Sequence, residues 1–283
     1  MVVDSTPIEH HPNLGLWVKR EDLCCPPGPH FSKTRGVLKH IENRPETIIG
    51  VLDTSHSQGG WAVAQACREL GKECHLWFPW YKDQEKTPAQ QEEAEWLGAI
   101  LHKLPAGRSA VLYHAAKREL GQLQSQKALF QGQELSTYMM PNALKLPEMV
   151  SETRAEVRRT ELPPVKTVLI SVSSSTIGAG VIAGLRDKGY RGDVVLHMGY
   201  SRSTAKLQSY VEDLIGLTWR TLENEGIRIL TVDEGYEYKD VAMINPDNVP
   251  PWPSNPHYDL KAYQWWFETG RIQHGEALLW NIG

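Results

Sequence analysis

Apolar positions recur along the chain in two alternating series. Residues 47–52 (TIIGVL) form a short β-branched run without polar alternation, which predicts a strand covered on both faces. Val63, Ala66, Cys67 and Leu70 follow at helical spacing, with Gly71 placed to end that helix. Residues 73–78, closed by Pro79, then 88–97, 99–104 and 109–120 predict strand, helix, strand and helix in turn. Ahead of this series, residues 14–19 predict a strand, and Ser32 is placed to cap a helix through residues 36–41. Residues 147–159 predict a helix before Pro163-Pro164 breaks the chain. A second series opens with a strand at 166–172 (KTVLISV) and a helix through Val181, Ile182 and Leu185. It continues with strands at 193–198 and 227–232 around a helix at 204–214. A proline-rich loop at 245–257, a helix at 260–269 and a strand at 277–280 complete it. Strands alternating with helices predict an α/β protein with mostly parallel sheets in two lobes.

Composition narrows the functional classes. Hydrophobic residues make up 41% and charged residues 23% of the 283, which excludes a disordered or fibrous chain. A net charge of −4 offers no general attraction to nucleic acid or anionic membranes, a local basic patch apart. The four cysteines (Cys24, Cys25, Cys67, Cys74) include an adjacent pair and no C-x-x-C, so reduced thiols in a cytoplasmic protein are expected, with no metal site. No basic segment leads into an apolar run at the N-terminus, and no apolar stretch approaches the ~20 residues that span a bilayer. Neither an export signal nor a membrane contact is expected. Of the ten tryptophans, Trp61, Trp77 and Trp265 sit in helix or strand patterns and are expected in the core, although tryptophan also offers stacking surfaces for a base.

In parallel sheets, ligands bind beyond the carboxyl ends of strands, where loops enter helix N-termini. Two such loops are rich in hydroxyls and glycine. Residues 173–180 (SSSTIGAG) follow a strand and suit a phosphate, and residues 54–60 (TSHSQGG) suit a carboxylate or phosphate. Neither carries the G-x-G-x-x-G dinucleotide signature, which argues against a nicotinamide oxidoreductase. Ser32-Lys33-Thr34 lacks the glycines of a P-loop, which argues against a nucleotide triphosphatase. A lysine near two anion-binding loops can instead form a Schiff base with an aldehyde cofactor.

Trp17-Val18-Lys19-Arg20-Glu21-Asp22-Leu23, followed by Phe31-Ser32-Lys33-Thr34-Arg35-Gly36, resembles the opening of fold-type II pyridoxal-phosphate enzymes. Tyr258-Asp259-Leu260-Lys261-Ala262 and residues 275–281 (GEALLWN) are similar to the C-terminal segment of the aminocyclopropanecarboxylate deaminase and D-cysteine desulfhydrase branch. The resemblance implies two interleaved three-layer αβα domains, one of residues 1–44 plus 134–283 and a smaller movable one of residues 45–133, and a homodimer. It implies that Lys33 carries pyridoxal 5'-phosphate as a Schiff base, with Ser173, Ser174, Ser175, Thr176 and Gly178 around the phosphate. Ser55, His56, Ser57 and Gly59 would grip the substrate carboxylate, and Gln58 would lie near the cofactor's ring hydroxyl. Asn281 would approach the pyridine nitrogen, with Glu234 or Glu237 as an alternative carboxylate there. Tyr236 would meet the substrate, and His56, Tyr236 and Tyr238 are secondary acid–base candidates.

The expected activity is bond labilisation at Cα of a small amino-acid-like substrate, as lyase, deaminase or decarboxylase. Two alternatives stand beside it. Viral relatives that trim amino-acid groups attached to thymine are similar in their shortness and divergence, which implies a modified nucleotide or DNA as substrate. A non-catalytic binding protein that kept the fold is the other.

Overall fold

The β-branched run at 47–52 forms β3 (Ile48–Leu52), buried along its whole length. It lies inside a parallel four-stranded sheet of order β5-β4-β3-β6, with β4 (Glu73–Trp80), β5 (Ile100–Pro105) and β6 (Thr137–Met139). The computed structural model describes residues 1–54, 56–131 and 136–283. These divide into one unit of Met1, Pro27–Pro29 and Gly36–Glu148 and another of Val2–Pro26, His30–Arg35 and Met149–Gly283. The expected boundary at 133/134 lies outside the described residues.

In the first unit, Ile48, Leu52, Trp77, Leu104 and Met139 face Leu112, Ala116 and Leu120 of α4 (Ser109–Gln131). Leu76, alternating with Trp77, points to the opposite face, beneath Gly60 of α2 (Gly59–Glu69). The helical pattern read at 36–41 forms α1 (Thr34–Glu42), with Val37 and Ile41 buried one turn apart. The pattern at 88–97 forms α3 (Ala89–Trp96).

Local details differ from the expectation. Pro79 does not close its strand; β4 continues to Trp80, with Pro79 in register with Leu104. Pairing of β4 with β3 ends at Trp77, so Pro79 sits where that side of β4 has no neighbour and its missing N–H breaks no ladder. Strand β6 has only three residues and too little pattern to read.

The second unit holds a six-stranded sheet of order β1-β2-β10-β7-β8-β9. Its strands are β1 (Ile8–His11), β2 (Leu16–Arg20), β7 (Thr167–Val172), β8 (Gly192–Met198), β9 (Ile227–Val232) and β10 (Ala277–Asn281). Only the β1–β2 pair is antiparallel. Leu16, Val18, Leu169, Val195 and Leu279 cover one face together with Ala262, Tyr263 and Trp265 of α9 (Asp259–Trp265). Val172 and Leu196 lie on the other face, beneath Gly178 of α6 (Thr176–Asp187). A Cβ at Gly180 or Gly184 would meet Thr153 at 2.6 Å or Val157 at 2.4 Å, so these glycines let α6 close on α5 (Pro147–Arg159). Helices α7 (Thr204–Ile215) and α8 (Trp219–Asn224) complete the layers. Helices lie on both faces of each sheet, which is why inner strands such as β3 and β7 are buried throughout and read as apolar runs.

Trp77 and Trp265 are core residues, as expected, and Trp61 is half-buried. Ser32 does not cap α1: its Oγ is buried without a partner, and Thr34 N–H turns back to the Phe31 carbonyl at 3.0 Å. Among the described residues no helix is long and apolar enough to cross a membrane, and no three His, Cys, Asp or Glu side chains gather as a metal-ligand set.

Candidate active site

Strands β2, β10, β7, β8 and β9 are parallel, so their carboxyl ends share one edge of the six-stranded sheet. At that edge Lys33 Nζ donates to Ser174 Oγ at 2.9 Å, although 141 positions separate the two residues. Ser174 Oγ lies 3.1 Å from Thr176 Oγ1, and Lys33 Nζ lies 5.4 Å from the Phe31 ring centroid. Ser173 hydrogen-bonds the Tyr258 hydroxyl, which burial pushes well above the usual tyrosine range. Ser175 takes a left-handed backbone, φ 67°, at the start of α6 and makes no capping bond to the helix. Its Oγ instead accepts a 2.6 Å bond from Arg202 Nη2. Thr176 and Gly178 are buried in the first turn of α6, where the free N–H groups have no side-chain cap. The structure therefore gathers Lys33, Ser173, Ser174, Ser175, Thr176 and Gly178 at one sheet edge. Sequence reading missed Arg202. It follows β8, the strand beside β7, so adjacency of loops after neighbouring parallel strands was the signal that pointed to it.

Asn281 ends β10 at the same edge and is fully buried. Its Nδ2 donates to Asp22 Oδ1 at 2.8 Å and the Pro253 carbonyl at 2.9 Å, and its Oδ1 accepts from Ser254 Oγ at 2.8 Å. Arg20 grips Asp22 with two bonds of 3.0 and 2.8 Å. A second buried acid nearby is Asp259, which accepts from the Ile282 N–H at 3.1 Å and is raised to about 7 by burial. Glu234 pairs with His197 at 2.8 Å and Glu237 with Lys239 at 3.1 Å. Asp259 lies in the quoted C-terminal stretch, yet nothing in its spacing separates it from an ordinary helix-start acid.

Tyr236 lies beneath Lys261, whose Nζ is 4.4 Å from the ring centroid and donates to the Gly199 carbonyl at 2.6 Å. Burial raises the Tyr236 hydroxyl and lowers the Lys261 ammonium. Tyr238 accepts from the Tyr258 hydroxyl at 3.3 Å.

In the first unit, the loop after β3 enters α2. Gln91, fully buried, donates to Asp53 Oδ2 at 2.9 Å, and the Gly59 N–H donates to Ser57 Oγ at 3.0 Å. A Cβ on Gly60 would stand 2.5 Å from Asp53 Oδ2, so only glycine admits this carboxylate behind the helix start. His56, Ser57 and Gln58 are half-buried in the loop, and Gly59 is buried. Ser55 lies outside the described residues.

The Lys19–Asp22 segment is scaffold rather than reacting group. Lys19 Nζ donates to Glu156 Oε1 at 2.5 Å, with both side chains fully buried. Glu21 takes bonds from Thr6 Oγ1 and from Arg35. Burial opposes ionisation of Glu156, but the hydrogen bond and charge of Lys19 hold its carboxyl below the ordinary value.

An amine set against hydroxyls at an uncapped, buried helix start suits an aldehyde cofactor that carries a phosphate. The donor set of Lys33, Ser174 and Thr176 therefore fits pyridoxal phosphate.

No protein-family model matches the chain. It is 46% identical, over 296 aligned positions spanning all of both chains, to the "Glycyl-dTMP PLP-dependent decarboxylase" of Pseudomonas phage M6. A crystal structure of an ACC deaminase homologue superposes with a TM-score of 0.76 at 18% identity, covering 99% of this chain and 89% of that one. L-Serine ammonia-lyase from Rhizomucor miehei superposes with a TM-score of 0.64 at 15% identity, covering 98% and 92%. At such identities the two structures show a shared fold.

Proposed function

The chain belongs to the family of the phage glycyl-dTMP decarboxylase, with the fold of the type II pyridoxal-phosphate enzymes, and we propose that it decarboxylates a glycine unit carried on a thymine nucleotide. The observation that carries the chemistry is Lys33 Nζ at 2.9 Å from Ser174 Oγ, beside the uncapped start of α6. The full-length similarity to the phage protein supports the substrate. A net charge of −4 favours a mononucleotide over polyanionic DNA, which gains from many cationic contacts.

Bound pyridoxal phosphate supplies the electron sink that loss of a carboxyl group from Cα requires. The protein's part is binding, orientation and proton delivery. Lys33 Nζ is the amine that takes the cofactor's aldehyde carbon. Ser173, Ser174, Ser175, Thr176 and Gly178 hold the phosphate through hydroxyls and first-turn N–H groups. Lys33 Nζ would also deliver to Cα the proton that takes the place of the departed carboxyl group. As the family resemblance implies, His56, Ser57 and Gly59 would receive the substrate carboxylate and Gln58 would address the cofactor's ring hydroxyl. Tyr236 borders the substrate. Asn281, bonded on both its amide and its carbonyl, orients Asp22 and the end of β10, where it would approach the pyridine nitrogen.

The test is incubation of holoenzyme with 5-glycyl-substituted dTMP and, separately, with free amino acids. Loss of the carboxyl group, read by mass spectrometry, is expected for the nucleotide alone. Turnover of free amino acids with none of the nucleotide would replace this reading by an amino-acid lyase.

A further inference from the structure

Arg202 has no place in the chemistry just described, yet it is the cation built into the wall of the phosphate loop. Its Nη2 donates to Ser175 Oγ at 2.6 Å. Its Nε is closed off from solvent and has no hydrogen-bond partner among the described residues. The groups that act on it electrostatically are the hydroxyls of Tyr200, which also hydrogen-bonds it, and Tyr210, and among the described residues no carboxylate pairs with it. Burial accordingly pulls its pKa down. Arg202 is half-buried, and a guanidinium partly withdrawn from water without a counter-charge carries a cost that a bound anion offsets.

Ser175 adds a second, independent sign. A left-handed backbone costs a non-glycine residue about 1–2 kcal/mol, and glycine is the ordinary occupant of such a position. Ser175 is buried, keeps φ 67°, and does not use its hydroxyl to cap α6. The hydroxyl serves Arg202 instead, so the strained residue ties the guanidinium to the N-cap position of α6. Three positive features meet at this loop: the guanidinium on Ser175, the helix N-terminus and the Lys33 ammonium on Ser174.

We propose that Arg202, steered by Ser175, completes with the N-terminus of α6 a binding site for a phosphomonoester dianion. The dianion belongs to the cofactor or to the 5'-phosphate of the nucleotide substrate, and the fork geometry of guanidinium suits either. This role rests on the reading of the chain as a pyridoxal-phosphate enzyme acting on a nucleotide.

The test compares wild type with Arg202→Met and Arg202→Lys in equilibrium binding to the full-length apoprotein. Four probes are titrated: pyridoxal phosphate, pyridoxal, dTMP and thymidine. A lost charge-assisted pair weakens binding about 10- to 100-fold. If the cofactor is the source, Arg202→Met weakens pyridoxal phosphate by that factor and leaves pyridoxal unchanged. If the nucleotide is the source, dTMP weakens relative to thymidine and both pyridoxal forms are unchanged. Equal weakening of phosphorylated and unphosphorylated probes, or no change in any, overturns the proposal. Wild type that binds neither pyridoxal form defeats the proposed function, and the dTMP–thymidine pair then judges Arg202 alone. The melting temperature of the apoprotein is a further readout: Arg202→Met keeps or raises it, whereas a merely structural arginine lowers it. Should Arg202→Met not fold, Arg202→Lys, which keeps the charge and loses the fork, carries the same comparison.

Discussion

Lys33 Nζ and Ser174 Oγ meet at 2.9 Å across 141 positions of sequence, joining the segment ahead of α1 to the loop that starts α6. Lys33→Ala is expected to remove the visible absorbance of the pyridoxal-phosphate holoenzyme. Ser174→Ala should keep the band and weaken cofactor binding about 2- to 10-fold, the worth of one hydrogen bond. An intact band in Lys33→Ala would move the cofactor to another lysine.

Asp259 makes the apoprotein's stability depend on pH. Unfolded, its carboxyl ionises near the ordinary ~3.9; folded, burial raises it to about 7. Between those values the folded state keeps a proton that the unfolded chain has lost. This contribution is complete below the unfolded value and declines as pH rises through 7, by up to about 1.4 kcal/mol per pH unit. Asp259→Asn should flatten that slope in urea denaturation between pH 5 and pH 8. An unchanged slope would show that Asp259 ionises normally.

The Lys19–Glu156 pair is buried on both sides, so removing one partner strands the other. Lys19→Met is expected to cost about 3–5 kcal/mol of unfolding free energy. The double variant Lys19→Met/Glu156→Gln should cost less than the sum of its singles, with a coupling above about 1 kcal/mol in a double-mutant cycle. Additive effects would mean that Glu156 is held by Ser5, Thr6 and the neighbouring arginines alone.

Gly60→Ala places a methyl group 2.4 Å from Leu76 Cδ1 and 2.5 Å from Asp53 Oδ2. It should destabilise the protein by about 1–3 kcal/mol through overpacking. Gly121→Ala, in α4 with nothing within 4 Å of the new carbon, is the control and should stabilise by about 0.5–1 kcal/mol. Equal melting temperatures for the two variants would contradict the close packing of α2 on Asp53.

Much of the site was readable in one dimension. Lys33 and the serine-rich loop stand out because chemistry restricts residue type: an amine for an aldehyde, and hydroxyls with small residues at a helix start. Asp53, Gln91, Asp259 and Arg202 were not readable, because each is an ordinary polar residue until packing fixes its partners and its exposure to water.

The sequence by itself determined the elements. Covered strands need unbroken β-branched runs, and helices need a turn-spaced apolar stripe, so β3, β7, β8, α2, α5 and α6 follow from local pattern alone. It failed where the pattern is short or the neighbour decides: β1, β6 and the passage of β4 through Pro79 depend on which strand lies alongside. Strand order, the burial of Asn281 among Asp22, Ser254 and Pro253, and the turn of Arg202 onto Ser175 belong to the tertiary structure. Periodicity records which face of an element avoids water. The partner across that face, and the charge or proton a side chain keeps there, are settled by contacts between residues far apart in the chain.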